Sequence, residues 1–304
     1  MSSLAKKAAV RSGRKKKFGN LDLIIFMGPF LVTFFLFTVA PVFVSWFVGF
    51  TNFNMLEFPD WVWFDNYQRL LINDSLFYTA LQNTLIIAVL VGPLGYIINF
   101  AFAWLINEVP AKPRAFLTFL FYAPSLGGGF GFLFNLLFSG DRYGLLNGFL
   151  LRFGLINDPI QFYVTKSWMY PILLITTLWG GLGTTFLTFI AGFQTVDRSL
   201  YEAGAMDGIK NRWQELYFIT LPAMRGELMF GAIMAVSTAF GVDPSGLFGN
   251  PSQDYYMYTL SMHLSDYSGQ RMEMGYACAI ATILFFLSFA MNKVFQFVIS
   301  RIGK

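Results

Sequence analysis

Residues 201–222 read YEAGAMDGIKNRWQELYFITLP and form the longest stretch of this chain that is suited to water rather than lipid. Charged side chains recur from Glu202 to Glu227, while the segments on either side are almost uncharged. A polar, helix-forming segment between two apolar runs of membrane length must lie outside the bilayer. A short helix displayed in this way cannot bury itself, so we expect it to dock into another protein.

The residues of this stretch predict two short helices that meet at a glycine. Ser199 and Glu202 have the spacing of a capping box, with Asp197 as the alternative N-cap. Gly208 stands where a left-handed residue would close the first helix. Pro222 predicts the end of the second helix after Leu221, because proline disfavours a helical residue before it. On that second helix one face carries Trp213, Leu216, Tyr217 and Thr220.

The sequence of this stretch resembles the EAA loop of binding-protein-dependent ABC importer permeases. The matching residues are Glu202-Ala203-Gly204, Asp207-Gly208 and Ile219-Thr220-Leu221-Pro222. The chain departs from the usual motif at Gly204, which replaces an alanine. Glycine should make the helix less stable by roughly 0.5–1 kcal/mol. It also has Asp197 where sugar-type members often have proline. The alternative is an ordinary amphipathic loop in which Glu202 only caps its own helix.

The composition is that of an integral membrane protein. The chain has 304 residues, of which 56% are hydrophobic and 12% charged, and its mean hydropathy is +0.55. Soluble domains carry about 25% charged residues. The single cysteine, Cys278, excludes an internal disulfide and a multi-cysteine metal site, and its apolar surroundings indicate a packing residue.

Six apolar runs predict an all-α membrane protein with six transmembrane helices. They cover residues 23–50, 76–107, 115–140, 167–196, 228–242 and 274–292, and Pro29 and Pro41 should bend the first. We expect a basic segment at residues 1–20 and one transmembrane domain at 21–304, with the coupling loop at 197–222. In this arrangement sixteen of the 21 lysines and arginines fall on the side of the loop and of both termini. The positive-inside rule then predicts that this side is cytoplasmic.

The fifth run is short and ends at Asp243-Pro244. A carboxylate at membrane depth is costly and would face a cavity or a partner helix; the equally weighted alternative is that Asp243 lies at the outer interface. The sequence at residues 247–249, 258–260 and 275–277 resembles that of sugar-type permeases. This resemblance favours a position near the substrate for the end of the fifth helix. Further candidates for a sugar path are Trp179, Tyr122, Asn135 and Thr188, although each is more often a packing or interfacial residue.

Other motifs in the sequence give weaker evidence for a function. The glycine cluster at residues 127–131 lacks the lysine and hydroxyl residue of a phosphate loop, so it indicates close helix packing or a kink in the third crossing. His263, the only histidine, lies in an expected loop and is predicted to be solvated. We find no catalytic constellation and no metal-ligand spacing, so the chain is not expected to be an enzyme.

The resemblance, which extends to FDNYQRLL at residues 64–71 and ALQNT at 80–84, implies a function and partners. It implies the maltose-permease-like half of a heterodimeric sugar importer, located in the cytoplasmic membrane of a prokaryote and working by alternating access. The implied partners are a second homologous permease, two cytoplasmic ATPase subunits that hold ATP and Mg, and an extracytoplasmic solute-binding protein. The motif also implies which residues couple the chain to the ATPase. Glu202 would be a polar contact, Ala203 and Gly204 would form the close-packing surface, and Gly208 would be the elbow. The remaining residues of the motif are Asp207, Ile219, Leu221 and Pro222.

Two alternatives stay open at this point. An ABC permease for a non-sugar solute would have a similar elbow, and only the flanking wording argues for sugar. A secondary transporter would need ionisable residues inside the membrane, and apart from Asp243 the apolar runs offer almost none.

Overall fold

The computed structural model describes residues 20–126 and 130–300. The regular structure within these ranges is helical, with no strand and one isolated β-bridge between Thr51 and Trp61. The all-α fold expected from the sequence is therefore confirmed. The basic stretch at 1–19, most of the glycine cluster at 127–131, and the terminal Arg301 and Lys304 lie outside the described residues. The chain divides after Phe47 into two compact units.

The first unit contains one long apolar helix. It consists of α1 (Asn20–Phe34), a wide π-helical turn (Phe35–Val39) and α2 (Ala40–Val48). Pro41 cannot donate a hydrogen bond to the carbonyl of Phe37, and the wide turn lies at that point. The segment Ile24–Val48 is long and apolar enough to cross a bilayer, as the run at 23–50 predicts.

The second unit holds the remaining helices. They are α3 (Asp65–Gln68), α4 (Ser75–Asn107), α5 (Ala111–Leu126), α6 (Phe130–Leu137), α7 (Leu145–Arg152), α8 (Lys166–Gly180), α9 (Thr184–Thr195), α10 (Arg198–Met206), α11 (Arg212–Glu215), α12 (Leu221–Ala223), α13 (Arg225–Phe240), α14 (Ser245–Phe248), α15 (Leu260–Ser265) and α16 (Met274–Ile299). Single π-helical turns follow α3, α11 and α15, at Arg69–Asn73, Leu216–Thr220 and Asp266–Gln270. Three of the segments in this unit qualify as membrane spans by themselves: Ser75–Asn107, Arg225–Phe248 and Met274–Ile299.

Two further spans are bent helix pairs. The pair α5 and α6 and the pair α8 and α9 are each long and apolar enough to cross a bilayer when taken together, which gives up to six spans in the described residues. The bend between α8 and α9 is 47°. Gly181 and Gly183 lie between the two helices, where glycine lets the chain leave the helical ladder at low cost. These spans correspond to the six apolar runs.

The helix α13 is central in this unit and packs against α4, α9 and α16. Small residues on it let the neighbours approach, as is usual between membrane helices. At Gly231 an added Cβ would lie 2.5 Å from Cζ of the buried Phe189. Ala232 is fully buried in the same cluster. The core of the bundle therefore depends on the absence of side-chain volume on α13.

The bundle has two ends, which we call the elbow end and the far end. At the elbow end α4 finishes and α13 begins, and the Arg225 guanidinium donates to the Ser300 carbonyl after α16 (2.8 Å). At the far end α4 and α16 begin, and the Tyr276 hydroxyl donates to the Asp74 carboxylate (2.6 Å). The prediction of a solvated His263 is wrong: it lies on α15 at the far end and is 1% exposed. The Asp74 carboxylate at the start of α4 lies 2.9 Å from its Nε2, and the ring of Tyr276 on α16 packs near the imidazole.

Candidate functional site

The polar stretch forms two helical pieces that meet at an elbow. The first piece, α10, is capped by Asp197, whose carboxylate accepts from the backbone amide of Ser199 (3.0 Å). This hydrogen bond lowers the pKa of Asp197. The alternative N-cap is therefore the one used, and Ser199 lies inside the helix. Since Glu202 is not needed for a capping box, its exposed carboxylate is available to another molecule.

The elbow itself is a Schellman turn. Gly208 has φ +93°, and its amide bonds to the carbonyl of Ala205 (3.3 Å). The amide of Ile209 bonds to the carbonyl of Gly204 (2.9 Å). These two bonds satisfy carbonyls that the helix end would leave free. The expectation that Gly208 is a left-handed C-cap is confirmed.

The second piece continues further than the sequence predicts. Asn211 caps α11 through the amide of Gln214 (2.8 Å), and the helix then passes through the π turn at Leu216–Thr220 into α12. The missing amide of Pro222 would have bonded to the carbonyl of Phe218, which lies in that wide turn. The predicted stop at Leu221-Pro222 is therefore wrong, and the break before α13 comes at Met224, with φ −100° and ψ 30°.

Close packing explains why glycine occupies position 204. Gly204 is buried, and an added Cβ would lie 2.6 Å from Cδ1 of Ile219 and 3.1 Å from Cδ1 of Ile209. The hydroxyl of Tyr201 also bonds to the hydroxyl of Thr220 (2.9 Å). Both contacts fasten α10 to the π turn. Gly204 therefore lets the two pieces approach each other, which offsets its low helix propensity.

An exposed groove of about 660 Å³ lies between the two pieces, and we call it the elbow groove. Its lining residues are apolar apart from Asp207: Leu200, Ala203, Gly204, Asp207, Ile209, Phe218, Ile219, Pro222 and Ala223. Five of the eight residues predicted for ATPase coupling, namely Ala203, Gly204, Asp207, Ile219 and Pro222, are in this set. Glu202 is exposed on α10, Gly208 forms the turn, and Leu221 packs on the bundle core.

The elbow is also tied to the end of α4, by contacts that sequence reasoning missed. Arg212 forms ion pairs with Glu215 (2.7 Å) and with Glu108, the residue that follows α4 (3.3 Å). The Trp213 ring packs edge-on against Trp104 of α4, with centroids 4.8 Å apart. A second cleft of about 510 Å³ is bordered by Trp104, Glu108, Arg212 and Glu215. The one sequence signal for this contact is the glutamate directly after the second apolar run, and the sequence does not indicate which basic residue pairs with it.

The predicted sugar-path residues do not meet in one place. Asp243 is exposed in the break between α13 and α14, where its carboxylate accepts from the amide of Ser245 (2.9 Å). Asn135 reaches the same region and donates to the carbonyl of Gly246 (3.4 Å). The α13–α14 break thus joins two of the five candidates.

The other three candidates lie on α5, α8 and α9. Trp179 is 43% exposed on α8, with its ring 6.1 Å from that of Phe121. Tyr122 follows Phe121 and packs partly on the bundle core. The hydroxyl of Thr188 bonds to the carbonyl of Thr184 in its own helix (2.8 Å). Their role in a substrate path stays a prediction.

Known proteins resemble this chain in sequence and in fold, although no protein-family model matches it. It is 28% identical over 284 residues to the probable ABC transporter permease protein YesP of Bacillus subtilis, covering 91% of this chain and 89% of that protein. It is 27% identical over 291 residues to the arabinooligosaccharides transport system permease protein AraP of Halalkalibacterium halodurans, covering 93% and 90%.

A solved structure of a bacterial alginate ABC transporter, in complex with an alginate pentasaccharide-bound periplasmic protein, shares the fold. Its matching chain has a TM-score of 0.75 at 20% identity, with 96% of this chain and 99% of that chain covered. The chain is therefore similar in sequence to permease proteins of carbohydrate transport systems, and it shares the fold of a chain of an alginate ABC transporter.

Proposed function

We propose that this chain is the permease subunit of an ATP-driven importer and forms half of the membrane path for a sugar or oligosaccharide. The observation that carries the proposal is the elbow groove, which is exposed and lined by residues of the EAA-like wording. A concave apolar surface with an acidic group is suited to an apolar side chain flanked by a basic or hydrogen-bonding residue. Similarity to carbohydrate permeases supports sugar as the solute.

The elbow would pass movement of a partner to the bundle by two routes. One route runs from α10 through the Tyr201–Thr220 bond and α12 to the joint at Met224, where α13 begins. The other runs through Arg212 to Glu108 at the end of α4. Since α4 and α13 pack against each other, a pull on the elbow acts on two adjacent core helices. Movement of this kind would alternate the access of the solute path.

The proposal includes the partners and the location. ATP hydrolysis with Mg belongs to two separate ATPase subunits in the cytoplasm, and a second homologous permease completes the path. A solute-binding protein delivers the sugar at the far end. The chain lies in the cytoplasmic membrane of a prokaryote, with the elbow end and both termini on the cytoplasmic side.

The coupling role is tested by co-purification from the native membrane with a tag on this chain. Wild type should bring down an ABC ATPase, and Glu202→Lys should reduce the recovered ATPase several-fold, because it reverses the charge beside the groove. Glu57→Lys, an exposed charge reversal in the loop at residues 51–64, is the matched control and should change nothing. Full recovery with Glu202→Lys would leave Glu202 without a docking role, and absence of any ATPase from wild type would refute the proposal.

The orientation is tested by cysteine labelling of intact cells. Met206→Cys and Phe58→Cys place thiols at positions that are 89% and 96% exposed, in a Cys278→Ala background. A membrane-impermeant maleimide should label position 58 and spare position 206 until the cells are opened. The reverse pattern would contradict the cytoplasmic elbow.

A further inference from the structure

A buried histidine joins several segments at the far end of the bundle. His263 on α15 is 1% exposed, and its Nε2 lies 2.9 Å from Oδ2 of Asp74, the N-cap of α4. Asp74 also accepts from the hydroxyl of Tyr276 on α16. On the other side of the ring, Nδ1 lies 3.2 Å from the hydroxyl oxygen of Tyr258. We call Asp74, Tyr258, His263, Asp266 and Tyr276 the His263 cluster.

The hydrogen bonds of the cluster show where its protons lie. Tyr258 has one hydroxyl proton, and it points to Oδ2 of Asp266, 2.6 Å away. Asp266 also accepts from the side-chain amide of Asn250 (2.5 Å). No proton of Tyr258 is then left for Nδ1 of His263. A neutral imidazole therefore donates from Nε2 to Asp74 and keeps Nδ1 as an unused acceptor that faces an oxygen.

A second proton on His263 would be poorly supported in this site. The imidazolium would have one neutral acceptor at Nδ1, the phenol oxygen of Tyr258, and this single hydrogen bond replaces only part of the hydration that a buried cation loses. Burial lowers the pKa of His263, and the Asp74 carboxylate raises it only in part, so that it stays below 6.5. Burial raises the pKa of Asp74, but the Tyr276 hydroxyl, His263 and the amide of Phe77 outweigh this effect and hold it below its ordinary value. At neutral pH the cluster thus pairs a carboxylate with a neutral imidazole.

The other charged groups around the cluster are already paired. The Arg271 guanidinium lies over the ring of Tyr267, 4.4 Å from its centroid, and donates to its hydroxyl (3.0 Å). The Arg69 guanidinium lies over the ring of Tyr276 (4.4 Å) and forms an ion pair with Glu273 (2.5 Å). Neither pairing requires a charge on His263. His263 is thus the one histidine of the cluster, and imidazole is the side chain whose ordinary pKa lies nearest to neutral pH.

We propose that His263 is a proton-binding site that holds residues 262–273 onto the start of α4 while it is neutral and releases them when it is protonated. A solvated histidine binds a proton more tightly than the buried one, so lowering the pH favours the state in which His263 is exposed. The held state has its full stability above the pKa of a solvated histidine, and it loses stability as the pH falls from there to the pKa of buried His263. That this end faces the exterior, and so senses the pH outside the cell, rests on the proposed function; the protonation itself does not.

The release should stop at Leu260, because the chain before it is held independently. The side-chain amide of Asn83 on α4 donates to the carbonyls of Tyr256 (3.1 Å) and Tyr258 (2.9 Å). The hydroxyl of Thr84 accepts from the amide of Leu260 (2.9 Å). None of these groups titrates near neutral pH. Residues 256–260 therefore provide an internal control within the same loop.

The first experiment is an NMR titration of the full chain in lipid nanodiscs, with labelled histidine and an affinity tag that contains no histidine. Because the chain has one histidine, the imidazole signal is that of His263. We expect a neutral ring with the proton on Nε2 at pH 7.5 and a midpoint below 6.5. A midpoint above 6.5 would overturn the proposal, because acid would then tighten the cluster.

The second experiment measures hydrogen exchange of the same sample from pH 7.5 to 5, corrected for the intrinsic exchange rate. Protection of residues 262–273 should fall, with a slope approaching about tenfold per pH unit for one proton, while residues 256–260 should keep theirs. His263→Gln keeps an amide donor for Asp74 but takes up no proton, so its exchange should be independent of pH in this range. Equal pH dependence in wild type and His263→Gln would refute the proposal.

A variant with a smaller change guards against misfolding of His263→Gln. Tyr258→Phe removes the one acceptor that faces Nδ1, so the NMR midpoint of His263 should move to lower pH. Tyr255→Phe, on the same turn, is the matched control and should titrate as wild type. A midpoint unchanged by Tyr258→Phe would contradict the assignment of the phenol oxygen as the acceptor of a hydrogen bond from protonated Nδ1. Since these readouts require neither transport nor a partner, their failure is distinct from failure of the proposed function.

Discussion

Replacing Gly208 by alanine tests the elbow with a minimal change. Position 208 has φ +93° and an added Cβ would meet nothing within 4 Å, so the substitution costs only backbone free energy. A left-handed conformation costs an L-residue about 1–2 kcal/mol. That cost corresponds to roughly a 5–30-fold shift from the closed Schellman turn toward the open one.

The assay is hydrogen exchange of the amides at positions 208 and 209, whose bonds close the turn. Gly208→Ala should accelerate both by the same factor, and Gly208→Asn should have a smaller effect because asparagine tolerates the left-handed region better. Gly226→Ala is the matched control, since position 226 lies in α13 and also has open space around it. There alanine should favour the helix and accelerate no amide.

The functional counterpart is ATPase activity of the assembled transporter stimulated by its solute. A loosened elbow should reduce this stimulation while the amount of chain in the membrane stays at the wild-type level. If Gly208→Ala exchanges as slowly as wild type, the backbone argument is wrong. If exchange accelerates and stimulation is unaffected, the turn is a structural feature without a part in coupling.

Three further changes address the core, the far end and the substrate path. Gly231→Ala should destabilise the protein by about 1–3 kcal/mol, because its Cβ would overlap the buried Phe189 ring, whereas Gly226→Ala on the same helix should not; thermal unfolding in detergent compares them. The pKa of Asp74 is lowered in the folded state, so the Asp74 carboxylate stabilises the fold above the unfolded pKa of 3.8, and this stabilisation is lost as the pH falls below that value. Asp74→Asn should remove this pH dependence from the free energy of unfolding, measured with urea at a series of acidic pH values. Asp243→Leu should lower sugar uptake in cells by several-fold if the carboxylate faces the path, and wild-type uptake would favour the interfacial alternative.

Much of the fold could be predicted because its signals are local. Each apolar run depends on the preference of its own residues for lipid, so the span at Ser75–Asn107 was predicted nearly to the residue. The start of Met274–Ile299 was also correct, but its predicted end at residue 292 was seven residues too early. The left-handed turn at Gly208 likewise depends on one residue that tolerates positive φ. The first helix of the elbow was found, but its N-cap was ambiguous because Asp197 and Ser199 both suit that role.

The errors and omissions came from contacts between distant parts of the chain. His263 was expected to be solvated because its neighbours in sequence are polar, but the residue that buries and bonds it, Asp74, lies 189 positions earlier. Gly204 was expected to weaken its helix, whereas its missing side chain makes room for Ile219 across the elbow. Pro222 was expected to end a helix that a π turn instead carries through.

The sequence by itself determined that this chain crosses a membrane several times and displays one polar elbow between its fourth and fifth apolar runs. Hydropathy and glycine conformation suffice for that, since each is a property of a residue and its immediate neighbours. Only the tertiary structure determined that the elbow carries a groove, that Arg212 ties it to α4, and that a histidine lies buried against a carboxylate. Burial and hydrogen bonding depend on which segments contact each other in space, and those tertiary contacts could not be read from a single sequence.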